Sequence, residues 1–300
     1  MNYFNDVSVI IVSYNSEEIL ENCINSIIKN TVNLDYSIYI VDNASTDNSC
    51  SLIKSKFPHV NLIENKINVG FGSANNQVLK IVNSKYVFLL NPDTQLLNNA
   101  IKILFDFMEI NEKIACSGAN LYKEDLSLQY AYGNFPSIKK VFFEFGLNKV
   151  FKNYFDNNLA ESVIFKNNKF AEVPYITGAD IMIRKNVLAE IGFFDEDFFL
   201  YYEETELQYR IRKSGYQIFL NPQAKIIHLS NISINKMPVY QKVKTVETSR
   251  VLYYKKVYGA KTALLITVLY LIKYLFLFII QRKNSSSKHI KVMLELLKNS

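Results

Sequence analysis

Acidic side chains end apolar segments at three places in the sequence. Asp42 closes YSIYIVD, Asp93 follows VFLLNP, and Glu203 with Glu204 follows the aromatic run FFLYY. A carboxylate at the edge of a core can accept hydrogen bonds from a ligand, and desolvation by aromatic neighbours raises its pKa toward the range useful for proton transfer. Each group also has a plainer explanation, because Asn-Pro-Asp favours a turn and acids in the first turn of a helix suit its dipole.

These acids are embedded in an alternation of predicted strands and helices. The β-branched run 7–12 is typical of a strand buried on both faces, and Ser16 is the expected cap of the helix after it, as Asp47 is of the next. The alternation recurs, with strands predicted over 36–41, 60–63 and 86–90 and helices over 48–56, from 73 onward and over 96–108. Because such alternation implies right-handed crossovers, it predicts an α/β domain with a mostly parallel central sheet.

Polar clusters lie at the carboxyl ends of these predicted strands. Ligands of open α/β sheets bind outside those ends, so four coincident clusters favour one binding crevice. The clusters contain Ser13, Tyr14, Asn15, Asp42, Asn43, Asn68, Gly70, Gly72, Asn91 and Asp93. The first strand ends in SYN and lacks the glycine-rich turn of a dinucleotide-binding fold, which argues against a nicotinamide dehydrogenase.

A series of motifs follows in order between residues 6 and 230. They read VSVIIVSYN, YIVDNASTDNS, NVGFGSANN, FLLNPDT, YITGAD and FLYYEETELQYRIRKSGY. In this order they resemble the family-2 inverting glycosyltransferases, closest to the rhamnosyltransferase-like branch of bacterial surface-polysaccharide synthesis. The resemblance implies a single GT-A-type domain that moves rhamnose or another hexose from a nucleotide-diphosphate sugar to a glycan or polyprenyl-linked glycan acceptor.

The resemblance also implies roles for individual residues. Glu204 takes the general-base position, with Glu203 as the alternative. Asp93 and His228 become ligands of a Mg²⁺ or Mn²⁺ ion. The residues expected to line the nucleotide sugar are Ser13, Tyr14, Asn15, Asp42, Asn43, Asn68, Gly70, Gly72, Asn75, Asn91, Asp93, Gly178 and Asp180. The implied reaction is a single displacement with inversion, in which the base takes a proton from an acceptor hydroxyl and the ion stabilises the departing nucleoside diphosphate.

Charge and hydropathy set the last part of the chain apart. Residues 225–300 hold 14 Lys/Arg and 2 Glu, a net charge of +12, whereas residues 1–224 carry −6. The apolar run 262–280 contains one charge, Lys273, and at ~1.5 Å per residue a helix there is about 28 Å long. We expect a catalytic domain over 1–235 and a basic helical tail over 236–300 that lies in or dips into the cytoplasmic leaflet, peripheral or monotopic on the inner face of the cell membrane.

Other features leave some alternatives open. A buried helix or a dimer face would also explain the apolar run of the tail. Basic residues that border an apolar run favour a lipid surface over nucleic acid, and three scattered cysteines without a signal peptide fit a reducing cytosol. The chain could also be a non-catalytic nucleotide-sugar-binding subunit, or a membrane scaffold whose tail is the function. The aromatic-rich stretch 123–172 is expected to form helices or a lid near the acceptor.

Overall fold

The computed structural model describes residues 5–229, 237–280 and 286–298. Its strands are β1 Asn5–Ser13, β2 Tyr36–Asp42, β3 Asn61–Glu64, β4 Ser84–Leu90, β5 Thr94–Leu96, β6 Ile114–Tyr122, β7 Tyr130–Gly133, β8 Val163–Ile164, β9 Ala171–Glu172, β10 Tyr175–Ile176, β11 Asp180–Arg184 and β12 Gln217–His228. Its helices are α1 Glu17–Asn30, α2 Ser49–Lys56, α3 Phe71–Leu79, α4 Ala100–Glu109, α5 Ile138–Phe142, α6 Asn148–Val150, α7 Lys152–Asn158, α8 Lys185–Ile191, α9 Glu203–Lys213, α10 Val239–Tyr258, α11 Ala260–Ile280 and α12 Ser286–Lys298. A π-helical turn over Phe143–Leu147 joins α5 to α6.

A large sheet organises the first two thirds of the chain. Its strand order is β3-β2-β1-β4-β11-β6-β12-β5, with β9 paired to β12. The strands β1 to β4 are parallel to one another and β6 is parallel to β12, whereas β11, β5 and β9 run in the opposite direction. The prediction of an α/β domain with a mostly parallel sheet is confirmed. A smaller sheet has the strand order β10-β7-β8. Its strands β7 and β8 lie within the aromatic-rich stretch 123–172, and β10 follows it.

The central strands are buried because helices cover both faces of the sheet. Val9 and Ile11 of β1 are fully buried, as is Phe88 of β4. On α1 the residues Leu20 and Ile24 complete the same core at helical spacing. This burial agrees with the continuous apolar runs of β1 and β4, which are typical of strands covered on both sides.

The fourth predicted helix starts later than the sequence indicated. A helix was expected over 96–108, but α4 begins at Ala100. The residues Thr94–Leu96 instead form β5 and pair with β12. The local helical pattern is overridden because this segment completes the edge of the large sheet.

The first two helices share one cap. Ser16 precedes α1, yet its side chain does not cap the helix, so that prediction is wrong. Asp47 accepts the N–H of Glu17, the first residue of α1, at 3.1 Å. Asp47 also accepts the N–H of Ser49, the first residue of α2, at 3.0 Å. The N-cap position of α2 is nevertheless occupied by Asn48, one residue later than predicted, and the Asn48 side chain makes no capping hydrogen bond.

The last three helices pack into the body of the protein. α10, α11 and α12 share a second apolar core with α5 and with the segment that leads into α9. Ser249 Oγ donates to Leu200 O at 2.7 Å, and Arg250 Nε donates to the Tyr202 hydroxyl at 3.2 Å. The expected boundary at 235/236 falls outside the described residues. The tail is therefore more closely joined to the rest of the chain than a flexible appendage would be.

Among the described residues, α11 is the one helix with the length and composition needed to cross a membrane. Its most apolar stretch, Ala260–Ile279, has a mean hydropathy of 2.2. About a quarter of that stretch (28%) is buried inside the protein. Length and composition alone do not distinguish a membrane helix from a packed one, so membrane association stays a prediction.

Candidate active site

Strand pairing at the edge of the large sheet brings Asp93 to His228. β5 pairs antiparallel with β12, so Thr94 lies opposite His228. Leu229 N donates to Asp93 O at 2.9 Å and fixes the turn that precedes β5. As a result, His228 Nε2 lies 3.4 Å from Asp93 Oδ1. An oxygen donor and a nitrogen donor from distant parts of the chain are thus neighbours.

The YITGAD motif meets the carboxyl end of β4. Asn91 N donates to Ala179 O at 3.0 Å, which extends the pairing of β4 with β11. A Cβ atom on Gly178 would lie 3.4 Å from Glu204 Cγ and 3.5 Å from Glu204 Cδ. Gly178 therefore lies directly beside the Glu204 side chain, at a distance where a Cβ would be in ordinary van der Waals contact with it.

Several contacts fix the first turns of α9. Gln208 Nε2 donates to Ile176 O, and Gln208 Oε1 accepts the Ile176 N–H, both at 2.8 Å. Glu206 accepts two hydrogen bonds from Arg210 Nε, at 2.8 and 3.0 Å. Tyr202, directly before the helix, has a φ of 69°. Residues other than glycine rarely adopt this left-handed backbone conformation, and such strained residues cluster at functional sites. The two Gln208 hydrogen bonds therefore anchor the first turns of α9 to β10.

These elements surround a cleft of about 350 Å³, a size that suits a small ligand. The predicted site residues that line it are Asn91, Gly178, Glu203, Glu204 and His228. Asp93 borders the cleft through its contact with His228. Lining residues that the sequence analysis did not single out are Phe71, Gln129, Tyr130, Thr177, Ala179, Leu200 and Tyr201. Thr177 and Tyr201 fall inside recognised motifs, but nothing in the sequence marks Gln129 or Tyr130.

The two adjacent glutamates differ in how strongly they hold a proton. Burial raises the pKa of Glu203 well above its ordinary value, and the charge of Glu204 raises it further. Burial also raises the pKa of Glu204, but backbone N–H groups of the helix start and the Thr205 side chain oppose that rise. The Glu203 Oε2 atom has no hydrogen-bond partner among the described residues. Burial and mutual repulsion favour a single negative charge on this pair, and the hydrogen bonds made to Glu204 favour its location there.

His228 has a defined orientation. Its Nδ1 lies 3.1 Å from Gln129 Oε1. When Nδ1 carries the proton and donates it to that amide oxygen, Nε2 presents a lone pair toward Asp93. This is the arrangement by which proteins orient histidines that bind metal ions.

Buried polar atoms without partners lie at the ends of β1 and β2 and in α3. Ser13 Oγ, Asp42 Oδ1 and Asn75 Oδ1 make no hydrogen bond within the described residues. Buried polar groups normally have a partner, so these three atoms are consistent with a ligand that supplies one. Tyr14, the next residue after Ser13, is 43% exposed. The nucleotide-sugar slot predicted at these residues remains a prediction.

Three of the predicted ligand-binding asparagines hold loops together. Asn43 Nδ2 donates to Asn68 Oδ1 at 3.0 Å and to Gly70 O at 3.1 Å. Asn15 Oδ1 accepts the Thr46 N–H at 2.8 Å, which ties the end of β1 to the loop after β2. These side chains shape the loops around the slot through contacts within the protein.

The two glycines at the start of α3, Gly70 before it and Gly72 within its first turn, allow a close approach to the protein itself. Gly70 has a φ of 88°, and a Cβ there would lie 2.4 Å from Phe199 O. A Cβ on Gly72 would lie 3.0 Å from Phe194 Cβ. Glycine is needed at both positions because residues 194–203 occupy the space that a side chain would fill, and the approach of these glycines to a bound sugar nucleotide stays a prediction.

Asp180 does not line the cleft, contrary to expectation. It is the first residue of β11 and is fully buried. Its Oδ2 accepts the Ala119 N–H at 2.5 Å, whereas Oδ1 has no partner among the described residues. Burial raises the pKa of Asp180 well above its ordinary value. Its role is therefore structural, as a neutral acid that joins β11 to β6.

Replacement of Asp180 with asparagine is expected to stabilise the protein at neutral pH. The raised pKa means that folding favours the protonated acid, so the wild type loses stability as the pH rises from the unfolded-state pKa toward the folded one. Asparagine keeps the acceptor for Ala119 N–H and has no such loss. Urea unfolding at several pH values measures the unfolding free energy of the variant and of the wild type. The advantage of the variant should grow with pH by at most about 1.4 kcal/mol per pH unit. A raised KM for the donor in this variant would contradict the structural role.

Comparison with known proteins identifies the family. The model of the family described as Glycosyl transferase family 2 matches residues 8–192. N-acetylglucosaminyl-diphospho-decaprenol L-rhamnosyltransferase of Mycobacterium tuberculosis is 23% identical over 217 residues, which are 67% of this chain and 69% of that protein. Rhamnosyltransferase WbbL of Escherichia coli is 23% identical over 239 residues, covering 75% of this chain and 84% of WbbL.

A solved structure shows the same fold. The crystal structure of GalNAc-T7 with UDP, GalNAc and Mn²⁺ superposes with a TM-score of 0.60 at 17% identity, over 84% of this chain and half (50%) of the other. The family match ends before α9 and β12, so it covers neither Glu204 nor His228. It nevertheless spans more than half of the sequence, and the chain therefore belongs to glycosyl transferase family 2 and is a glycosyltransferase.

Proposed function

We propose that the protein transfers rhamnose or another hexose, with inversion, from a nucleotide-diphosphate sugar to a polyprenyl-linked glycan during synthesis of a surface polysaccharide. The reaction takes place at the cytoplasmic face of the cell membrane. The observation that carries this proposal is the shared cleft, which joins Glu204 to His228 and, through His228, to Asp93. The names of the two rhamnosyltransferase relatives support the sugar, and that of the Mycobacterium tuberculosis relative also supports a lipid-linked acceptor.

Asp93 and His228 fit a divalent cation that binds together with the donor. They offer one carboxylate and one imidazole, and no group of three or more ligating side chains occurs in the described part of the chain. Two protein ligands leave room for diphosphate oxygens, which suits Mg²⁺ or Mn²⁺. The bound Mn²⁺ and UDP of the structural neighbour agree with this choice. When present, the ion supplies positive charge beside the diphosphate.

The side chains of the cleft have separate tasks in this proposal. Glu204 accepts the proton of the acceptor hydroxyl as that oxygen attacks the anomeric carbon. Glu203 keeps its proton and so does not compete as a base. Ser13, Asp42 and Asn75 offer their unpartnered atoms to the base and ribose of the donor. Gly178 leaves space for the sugar beside the Glu204 carboxyl group.

A non-catalytic subunit that binds a nucleotide sugar is the second candidate. The neutral Asn91 in place of a second carboxylate favours it, because a single carboxylate holds a cation weakly. Both candidates bind the donor, but the non-catalytic one transfers nothing.

A thermal-shift screen of nucleotide sugars with Mg²⁺ or Mn²⁺ tests donor binding. A donor at 100 times its Kd should add about 2.7 kcal/mol to the unfolding free energy. The donor found in this way is then supplied with polyprenyl-diphosphate-linked acceptor, and product is measured. Stabilisation without transfer or donor hydrolysis would favour the binding subunit, and no stabilisation by any nucleotide sugar would contradict both candidates.

A further inference from the structure

One face of α11 is apolar and uncovered by any described part of the chain. Its exposed side chains recur every three or four residues, which puts them on one side of the helix. They include Leu264, Val268, Ile272, Leu275, Phe276 and Ile279. The opposite side buries Ile266, Tyr270 and Tyr274 in the second apolar core. A helix that is half packed and half exposed in this way differs from a helix surrounded by lipid.

A second exposed apolar surface lies in residues 142–151, here called the aromatic segment. Phe142, Phe145, Val150 and Phe151 are between 44% and 73% exposed. Monomeric soluble domains seldom leave so many large apolar groups together in water, and such patches mark interaction sites. The segment belongs to the part of the chain that was expected to form helices or a lid near the acceptor.

An ion pair joins the two surfaces. Glu144 lies between Phe142 and Phe145, and its Oε2 is 2.5 Å from Lys273 Nζ. The Tyr270 hydroxyl of α11 also donates to Glu144 Oε2, at 3.2 Å. The aromatic segment is therefore held against α11. Lys273, the one charge within the apolar run 262–280, is paired with Glu144 and does not face the apolar surface.

The same cluster of charges opposes a crossing of the bilayer by α11. Lys140 is buried between Glu144 Oε1, at 2.7 Å, and Glu161 Oε1, at 2.6 Å. If α11 left this position to span a membrane, Lys273 would lose its carboxylate partner and Glu144 would lose one of its two lysine partners. Separating these charges leaves partly buried groups without their partners, which is unfavourable. The packing thus favours a helix that stays on the protein and lies parallel to a membrane.

Positive charge surrounds the combined surface. Lys139 and Lys149 are exposed around the aromatic segment, and Lys255 and Lys261 are exposed near the start of α11. Lys152 is also exposed there, but it pairs with Asp156. An apolar surface with a basic rim suits the interface of a bilayer that contains anionic lipid. A second copy of the chain would bring the same basic rim into contact with itself, which is unfavourable.

We propose that the exposed face of α11 and the aromatic segment form one docking surface for an anionic phospholipid bilayer, with α11 in the plane of the membrane. This inference rests on the membrane-linked acceptor of the proposed function and specifies how the enzyme meets it. Glu161 connects the surface to the cleft, because it accepts a hydrogen bond from Tyr202, the residue before α9, at 3.1 Å. Docking thus holds the catalytic base beside the membrane that carries the acceptor.

The absence of tryptophan from the sequence allows a direct test. Full-length variants Phe145→Trp and Ile272→Trp each carry one fluorophore on the proposed surface, and Ile110→Trp, at an 81% exposed position in the α4–β6 connection, is the matched control. Vesicles of phosphatidylcholine alone or mixed with phosphatidylglycerol carry bromine near the headgroups or near the chain ends. With the anionic vesicles only, the tryptophan emission of both surface variants should shift to shorter wavelength. It should be quenched most by bromine near the headgroups. The control should not change.

Two results would overturn the proposal. Strongest quenching of Ile272→Trp by bromine near the chain ends, with Phe145→Trp unaffected, would mean a helix that crosses the bilayer. Emission that depends on protein concentration and not on vesicles would mean that a second copy covers the surface. The vesicles contain neither donor nor acceptor, so the result is independent of whether sugar transfer is found.

Discussion

Replacement of Glu204 with glutamine is expected to lower kcat by about 10²–10⁴, the usual contribution of a positioned general base. The amide has the shape of the carboxyl group but cannot take the proton of an acceptor hydroxyl. Donor binding should stay close to that of the wild type, because Glu204 lies on the acceptor side of the reacting carbon in the proposed arrangement. Transfer of labelled sugar to the lipid-linked acceptor and calorimetric donor binding measure the two effects separately.

Glu203→Gln provides the matched control for this experiment. Glu203 is adjacent in sequence, lines the same cleft and is already neutral because burial and the charge of Glu204 raise its pKa. An amide in its place should therefore change kcat only slightly. Near-normal transfer by Glu204→Gln, together with a large loss in Glu203→Gln, would exchange the two roles.

The pH dependence of transfer gives a second check on the base. A base acts only when it is deprotonated, and burial raises the pKa of Glu204. The acidic limb of the kcat/KM profile should therefore lie above the ordinary glutamate value of about 4.3. The charge of Glu161 also raises the pKa of Glu204. The variant Glu161→Gln lacks this charge, so the acidic limb of its profile should lie at lower pH than that of the wild type.

Sequence reasoning found the cleft because its main elements follow from local pattern and one topological rule. Asp93 ends a buried strand of a parallel sheet, and such ends gather at one edge. Glu204 follows an aromatic run and opens a helix, which two separate patterns indicated. The order of motifs supplied the pairing of these groups, which no single motif could establish.

Orientation and distant pairing could not be predicted in the same way. Asp180 lies where expected, at the start of a strand beside the end of β4, but its side chain faces the Ala119 N–H in the core. Lys273 was an unexplained charge in an apolar run until its partner Glu144 was found, 129 residues earlier. No local pattern reports such contacts, because they depend on how whole elements pack.

Replacement of Asp93 with alanine is expected to remove the effect of Mn²⁺ on the binding of nucleoside diphosphate. Asp93 is the only carboxylate that we propose as a ligand, so His228 alone should hold the ion poorly. Loss of a residue that only hydrogen-bonds to a metal ligand typically lowers metal affinity by about 10–100-fold. Loss of the carboxylate ligand itself should lower the affinity by at least as much. Calorimetric titration with UDP and with dTDP, with Mn²⁺ or with EDTA, measures this without any need for turnover.

Two further variants make the result specific to the geometry around His228. Asp106→Ala removes an exposed carboxylate of α4 that pairs with Lys102, and it should leave the Mn²⁺ effect intact. Gln129→Leu removes the oxygen 3.1 Å from His228 Nδ1 and should weaken the Mn²⁺ effect by less than Asp93→Ala. This order follows because Gln129 only orients one ligand, whereas Asp93 is itself a ligand. Equal Mn²⁺ effects in the wild type and in Asp93→Ala would show that the cation, if the protein uses one, binds elsewhere.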